Sequence, residues 1–138
     1  MRLSLVSERS KKLIKQKILI IHPDTRLNHS LVRHFVQTGH YEVFSSLSHH
    51  TSLAMITGVT EKHRFDVVVT HFGGLAIDHN MFVCQTKKAT PSTRIMLFCK
   101  HRNLDGLRFD DVVFQDDPES IEILERRVAL IAYTPNRV

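Results

Sequence analysis

Short apolar runs alternate with helical patterns along most of the chain. Lys17-Ile-Leu-Ile-Ile21 is too short for a helix and too uniformly aliphatic for a one-sided strand. It predicts a strand buried on both faces. Leu27, Leu31, Val32 and Phe35 then keep helical spacing. Asp24 or Thr25 is placed to cap that helix, and Gly39 to stop it in a left-handed turn. Tyr41-Glu-Val-Phe44 predicts a second strand. A second helix is expected over Ser52–His63, with Leu53, Ile56 and Val59 inward, although Gly58 weakens it. Phe65-Asp-Val-Val-Val-Thr70 reads as a third strand, rich in β-branched residues. Gly73-Gly74 makes a loop. A helix from Asp78 or His79 to Lys88 follows, carrying Met81, Phe82, Val83 and Cys84, and Pro91 marks the next boundary. Arg94–Cys99 is the fourth strand, residues 100–109 hold at most a short helix, and Asp111-Val-Val-Phe114 is the fifth strand. Asp117 is expected to cap the last helix with Pro118 at its first position and Glu119 near its positive end. Ile121, Leu124, Val128 and Ile131 form the apolar stripe of that helix.

Five short buried strands alternating with helices imply an α/β fold with a parallel sheet, right-handed crossovers and helices on both faces. In such sheets the site lies beyond the carboxyl ends of the strands. The segments that matter are therefore His22 to Asp24, Thr70 to Gly74, Phe98 to His101 and Gln115 to Pro118. With 138 residues, 42% of them apolar and 24% charged, the chain is one ordinary globular domain. The longest uninterrupted aliphatic run, Ile18 to Ile21, falls far short of the ~20 residues a membrane span needs. Met1 to Val6 lacks the apolar stretch of a secretory signal. Cys84 and Cys99 form no disulfide framework, so a reducing, cytoplasmic setting is expected.

The net charge of +5 lies entirely in the first 17 residues. Arg2, Arg9, Lys11, Lys12, Lys15 and Lys17 stand there against Glu8 alone, and the remaining basic and acidic residues balance. The chain thus divides into a basic extension over 1–16, a neutral domain over 17–133 and a short tail over 134–138. A neutral domain carries no basic stripe for nucleic acid, which leaves only the tail 1–17 for such contacts. That tail reads as a solvated extension or as a contact for an acidic partner, a nucleic acid or a membrane surface.

The turn after the first strand, His22-Pro23-Asp24-Thr25-Arg26-Leu27, has no glycine, which argues against a phosphate cradle there. No Walker, nucleophile-elbow or zincin motif occurs, and no spacing singles out a Ser/His/Asp triad. We therefore expect no enzyme and no cofactor. Ten histidines are many for this length. His29, His34, His49, His50 and His63 read as surface or helix-end residues. His22 and His71 differ, because each directly follows a buried strand. If those strands are neighbours, the two imidazoles converge at one mouth, with Asp24, His79 and His101 close. Such a pair is compatible with plain surface histidines, with a pH-responsive pair, or with a divalent metal held by imidazole and carboxylate.

Taken together, the order of elements resembles a response-regulator receiver domain (CheY-like) over residues 16–133. Lys17-Ile-Leu-Ile-Ile-His-Pro-Asp24 resembles the receiver opening, an aliphatic strand running into acids. Phe65-Asp-Val-Val-Val-Thr-His71 resembles the third strand, which ends in the phospho-accepting aspartate. Thr90-Pro-Ser-Thr-Arg-Ile-Met-Leu-Phe98 and Asp110-Asp-Val-Val-Phe114 resemble the fourth strand and the entry to the fifth. The resemblance implies a flavodoxin-like three-layer (βα)5 sandwich with strand order 2-1-3-4-5 and a reduced fourth helix.

It also exposes systematic departures. The magnesium-binding acids would fall at His22 and Pro23, with Asp24 the only carboxylate nearby, and the phospho-acceptor position is His71. The switch hydroxyl would fall at Phe98 or Cys99. The lysine position falls among Gln115, Asp116 and Asp117, with Pro118 retained. The resemblance is therefore to a degenerate receiver, a pseudo-receiver. It implies a stand-alone module in two-component signal transduction that works without phosphorylation, through contact with another signalling or regulatory chain or as a homodimer. Receivers commonly use the face around their fourth helix, fifth strand and fifth helix. Here that face would hold Val112 to Phe114 with a rim of Glu122, Glu125, Arg126 and Arg127. The alternative is a small-molecule or metal-sensing domain using the His22/His71 mouth.

Overall fold

A computed structural model describes residues 15–58 and 63–132. The elements are β1 (Gln16–Ile21), α1 (Thr25–Thr38), β2 (Tyr41–Ser46), α2 (His49–Thr57), β3 (Val67–Thr70), α3 (Ala76–Ala89), β4 (Arg94–Cys99), β5 (Asp111–Phe114) and α4 (Ser120–Ala132). All five strands are parallel, in the order β2-β1-β3-β4-β5. The flavodoxin-like receiver architecture expected from the sequence is the one observed.

The uniform aliphatic run of β1 is explained by its central place. Ile18 and Ile20 face one layer, with Leu31 and Phe35 of α1 and Leu124 and Val128 of α4. Leu19 and Ile21 face the other, with Ile56 of α2 and Phe82 and Val83 of α3. Both faces are sealed, so alternation with polar residues has no place there. Each such side chain contributes roughly 1.5–3 kcal/mol by leaving water.

The ends of the elements follow from local chemistry. Asp24 caps α1, its Oδ1 accepting from the backbone N–H of Arg26 at 3.0 Å and of Leu27 at 3.1 Å. Gly39 closes α1 with φ 76°, a left-handed conformation that costs glycine little. Helix α2 begins at His49, not at Ser52, because Ser48 caps it by accepting from the N–H of Thr51. Its expected inner residue Val59 lies outside the described residues. Helix α4 begins at Ser120, so Pro118 and Glu119 stand in the turn before it. Asp117 closes that turn by accepting from the N–H of Glu119 at 2.9 Å. Residues 1–14 and 133–138, including most of the basic extension and the tail, lie outside the described residues.

No helix forms between β4 and β5; residues 100–110 run as a loop along α3. Asn80 clamps it, donating to the carbonyl of Gly106 at 2.8 Å and accepting from the N–H of Arg108 at 2.9 Å. The buried ring of His79 holds the carbonyl of Arg108 at 2.8 Å. These bonds satisfy backbone groups that a helix would satisfy internally. Among the described residues, no helix is long and apolar enough to cross a membrane.

Candidate functional site

The carboxyl ends of β1 and β3 bring His22 and His71 together. Their ring centroids lie 4.6 Å apart, with planes tilted by 56°. His22 is buried, and its surroundings fix its tautomer. Its Nδ1 accepts from the N–H of Asp24 at 3.1 Å, so in the neutral ring Nε2 carries the proton and donates to Oε1 of Gln115 at 3.2 Å. Asn28, also buried, donates to the carbonyls of His22 at 3.2 Å and Ser46 at 2.9 Å, which ties the end of β1 to the end of β2. The His71 ring lies over Gly73, where any β-carbon would collide with its Cε1. Burial, and then the neighbouring His22, His49, His101 and Lys100, push the pKa of His71 down to about 4.

The other residues singled out from the sequence separate. Asp24 spends its carboxylate on the first turn of α1, whose N–H groups, that of Leu27 foremost, lower its pKa. Pro23 is exposed beside it. Phe98 is not in the mouth: it packs in the core between the sheet and α1 and α4. Cys99 is buried, its Sγ 3.5 Å from the carbonyl of His101, and burial raises its pKa. Asp116 pairs with Arg102 at 2.8 Å, and the guanidinium of Arg102 also lies 4.0 Å over the ring of Phe114. Asp117 serves the turn before α4. The ring of His22 is the meeting point, touching that of His71 and the side chain of Gln115.

Two histidines carry more of the site than the sequence suggests. His49 stands at the helix end expected of it, as the first residue of α2, but it is turned inward. Its ring stacks on Phe82 at 4.4 Å and 16°, and its Nε2 lies 2.6 Å from Oγ1 of Thr70. His79 is buried against Phe72, whose other neighbour is His101. Burial, the largest cause in each, lowers the pKa of both His49 and His79. His49, His71 and His79 line a cavity of about 310 Å³, with Phe72, Leu47 and Leu75. The spacing to Phe82 and Arg108 is purely tertiary. The one local signal was Ser48, whose cap fixes the start of α2 and so turns His49 inward. Among the described residues, no group of three or more His, Cys, Asp or Glu side chains is arranged to hold a metal ion.

The expected partner face divides in two. Val112 and Phe114 line a groove with Ile123 and Arg127, whose guanidinium pairs with Asp111. Glu125 turns the other way and meets His34 of α1 at 2.7 Å. Glu122 lines a second groove with Arg33 and His34, and Arg126 is exposed.

No protein-family model matches the chain, and no curated protein matches it by sequence. Solved structures do match. A response regulator receiver protein from Sinorhizobium medicae superposes with a TM-score of 0.70 at 17% identity, covering 87% of this chain and 96% of that one. The response regulator protein TrrA from Thermotoga maritima superposes at 0.69 and 14% identity, covering 84% and 98%. TrrA is also solved in complex with the histidine kinase ThkA. A protein described as pilus assembly-related, from Burkholderia pseudomallei, superposes at 0.64 and 16% identity, covering 88% and 94%. At these identities the likeness is one of architecture: the chain has the fold of a response-regulator receiver domain.

Proposed function

We propose that this chain is a cytoplasmic pseudo-receiver, a signalling module that works without aspartyl phosphorylation and through contact with another signalling chain. The working unit is the domain over 17–133, flanked by the basic extension 1–16 and the tail 134–138. The observation that carries this reading is the pairing of His22 with Gln115 at 3.2 Å beside the ring of His71 at 4.6 Å. By the resemblance, His22 falls with Pro23 among the positions of a receiver's acids, His71 at its acceptor, and Gln115 with Asp116 and Asp117 among the positions of its lysine.

Phosphoryl transfer to an aspartate needs carboxylates to hold magnesium, a nucleophilic carboxylate and a cation to meet the phosphoryl oxygens. Here Asp24, the carboxylate that follows His22, is a helix cap, and the imidazole at 22 is committed to Gln115. The reading assigns the chain no reaction of its own. A signalling partner is supported by analogy with TrrA, which binds a kinase, and by the half-buried Val112 and Phe114 on the edge strand β5. Regulation would then come from partner abundance or from a ligand.

The test is direct. After incubation with acetyl phosphate and magnesium, the intact mass is expected to stay unchanged. Beryllium fluoride with magnesium is expected to leave the amide spectrum unmoved. A stoichiometric acid-labile phosphoryl adduct, or a magnesium-dependent shift around residue 71, would overturn the reading.

A further inference from the structure

We propose that the cavity beside His71 binds a small, uncharged nitrogen heteroaromatic molecule of about the size of benzimidazole. The proposal is independent of whether the domain also contacts a partner protein.

The position and size come first. The cavity of about 310 Å³ lies between the β2–α2 turn and the β3–α3 loop, at the carboxyl ends of the strands. Open α/β sheets bind ligands at that end, and small-ligand pockets begin at about this volume. Its apolar wall is made by Ile21 and Phe72, with Leu47 and Leu75 at the rim. Leu47 is 52% exposed and Leu75 67% exposed, an apolar rim that a flat ring would take out of water.

The polar groups define the ligand further. Neither ring nitrogen of His71 has a hydrogen-bond partner among the described residues, so a neutral imidazole offers one donor and one acceptor here. His79 is only 1% exposed, and its Nδ1 has no partner. Its Nε2 faces the carbonyl of Arg108, which can only accept, so Nε2 carries the proton and Nδ1 is a bare lone pair. A buried acceptor left in that state costs about 1–3 kcal/mol, but the atom is closed off from solvent, so the polar contacts of a ligand fall to His71. A ring bearing one N–H and one unprotonated nitrogen matches this set.

Charge weighs against the alternatives. Among the described residues no lysine or arginine lines the cavity, whereas Asp78 does, so the walls favour an uncharged ligand over a phosphate or carboxylate. A metal ion finds no triad of ligands among the described residues.

The experiment uses the full chain at neutral pH and two probes of one shape. Benzimidazole carries both ring nitrogens, and indene is the matching hydrocarbon without them. Benzimidazole is expected to shift the amides of Phe72, Gly73 and Gly74 saturably, and the ring nitrogens of His71 with them. Indene is expected to bind at least about 10-fold more weakly, the scale of one lost buried hydrogen bond. His71→Phe is expected to abolish that preference, and His71→Asn, which keeps a donor and an acceptor, to retain part of it. Equal binding of the two probes, the absence of saturable shifts, shifts mapping elsewhere, or a preference unchanged in His71→Phe would each overturn the proposal.

Discussion

The mouth of the sheet has two sides built from the same residue type. On the side over β1 and β5, His22 is buried with both ring nitrogens engaged, by the N–H of Asp24 and the amide of Gln115. Arg102 and Asp116 pair beyond β4 and β5, and Asp117 closes the turn into α4. On the side over β3, α2 and α3, the His71 ring lies against the tilted ring of His22 and over Gly73, and among the described residues its nitrogens and Nδ1 of His79 have no hydrogen-bond partner. The difference shows what decides a histidine's role. Two hydrogen bonds convert an imidazole into a structural strut, whereas burial without partners leaves one neutral and chemically available. The first side is filled. The second side is open.

The largest expected effect is on the filled side. Asn28 donates to two buried carbonyls at the ends of β1 and β2. Asn28→Ala removes both bonds and leaves the carbonyl of His22 without its donor. A loss of about 2 kcal/mol is expected, the scale for an unsatisfied buried group. Urea unfolding measures it, and a loss below about 0.5 kcal/mol would show that the His22 side is not held by this bond.

The filled side was also the more legible in the sequence. His22 and His71 each follow an unbroken apolar strand, and the strand order then makes them neighbours. The bounds of β4 and β5 could be read because Pro91 and the polar stretch 100–110 frame them. Phe98 shows the limit of such reading. A position equivalent to a switch hydroxyl says which strand end it occupies, but alternation within β4 sends that side chain into the core. The division of the partner face has a similar origin. At about 100° per residue, Glu122 and Glu125 lie on other flanks of α4 than Ile123 and Arg127. On the open side His71 and His79 could be placed near the mouth, but their contacts could not, because these join distant segments. His49 meets Phe82, and His79 meets Arg108, through packing that no local period encodes.

Acid is expected to act on the open side next. The ordinary pKa of histidine, 6.5, is lowered to about 4 at His71 in the folded state. As pH falls from 6.5, the unfolded chain takes up a proton there before the folded chain does. Stability contributed by the neutral ring is therefore complete above that window and is lost progressively down to about 4. His49 and His79, lowered mainly by burial, act in the same direction. Unfolding midpoints measured across this range are expected to fall with acid, and less steeply in His71→Phe. Equal slopes in the two proteins would place the acid sensitivity elsewhere.

The smallest effect on stability, and the sharpest on the comparison, is expected from Gly73→Ala. The backbone of Gly73 does not adopt a positive φ, so alanine meets no conformational barrier there. Its β-carbon would instead overlap Cε1 of His71 and lie 3.1 Å from Nε2. Those atoms form the far end of a side chain that is only partly buried, so the ring can swing away at modest cost. The variant is expected to fold and to lose less than about 1 kcal/mol. The ring contact between His22 and His71 is lost with that motion, and the bond between His22 and Gln115 is not. The ring signals of His71 should therefore move while those of His22 Nε2 stay, and benzimidazole binding should weaken with the displaced wall. Parental signals from both rings would show that Gly73 does not place His71. Movement of His22 Nε2 together with His71 would show that the two sides of the mouth are one unit.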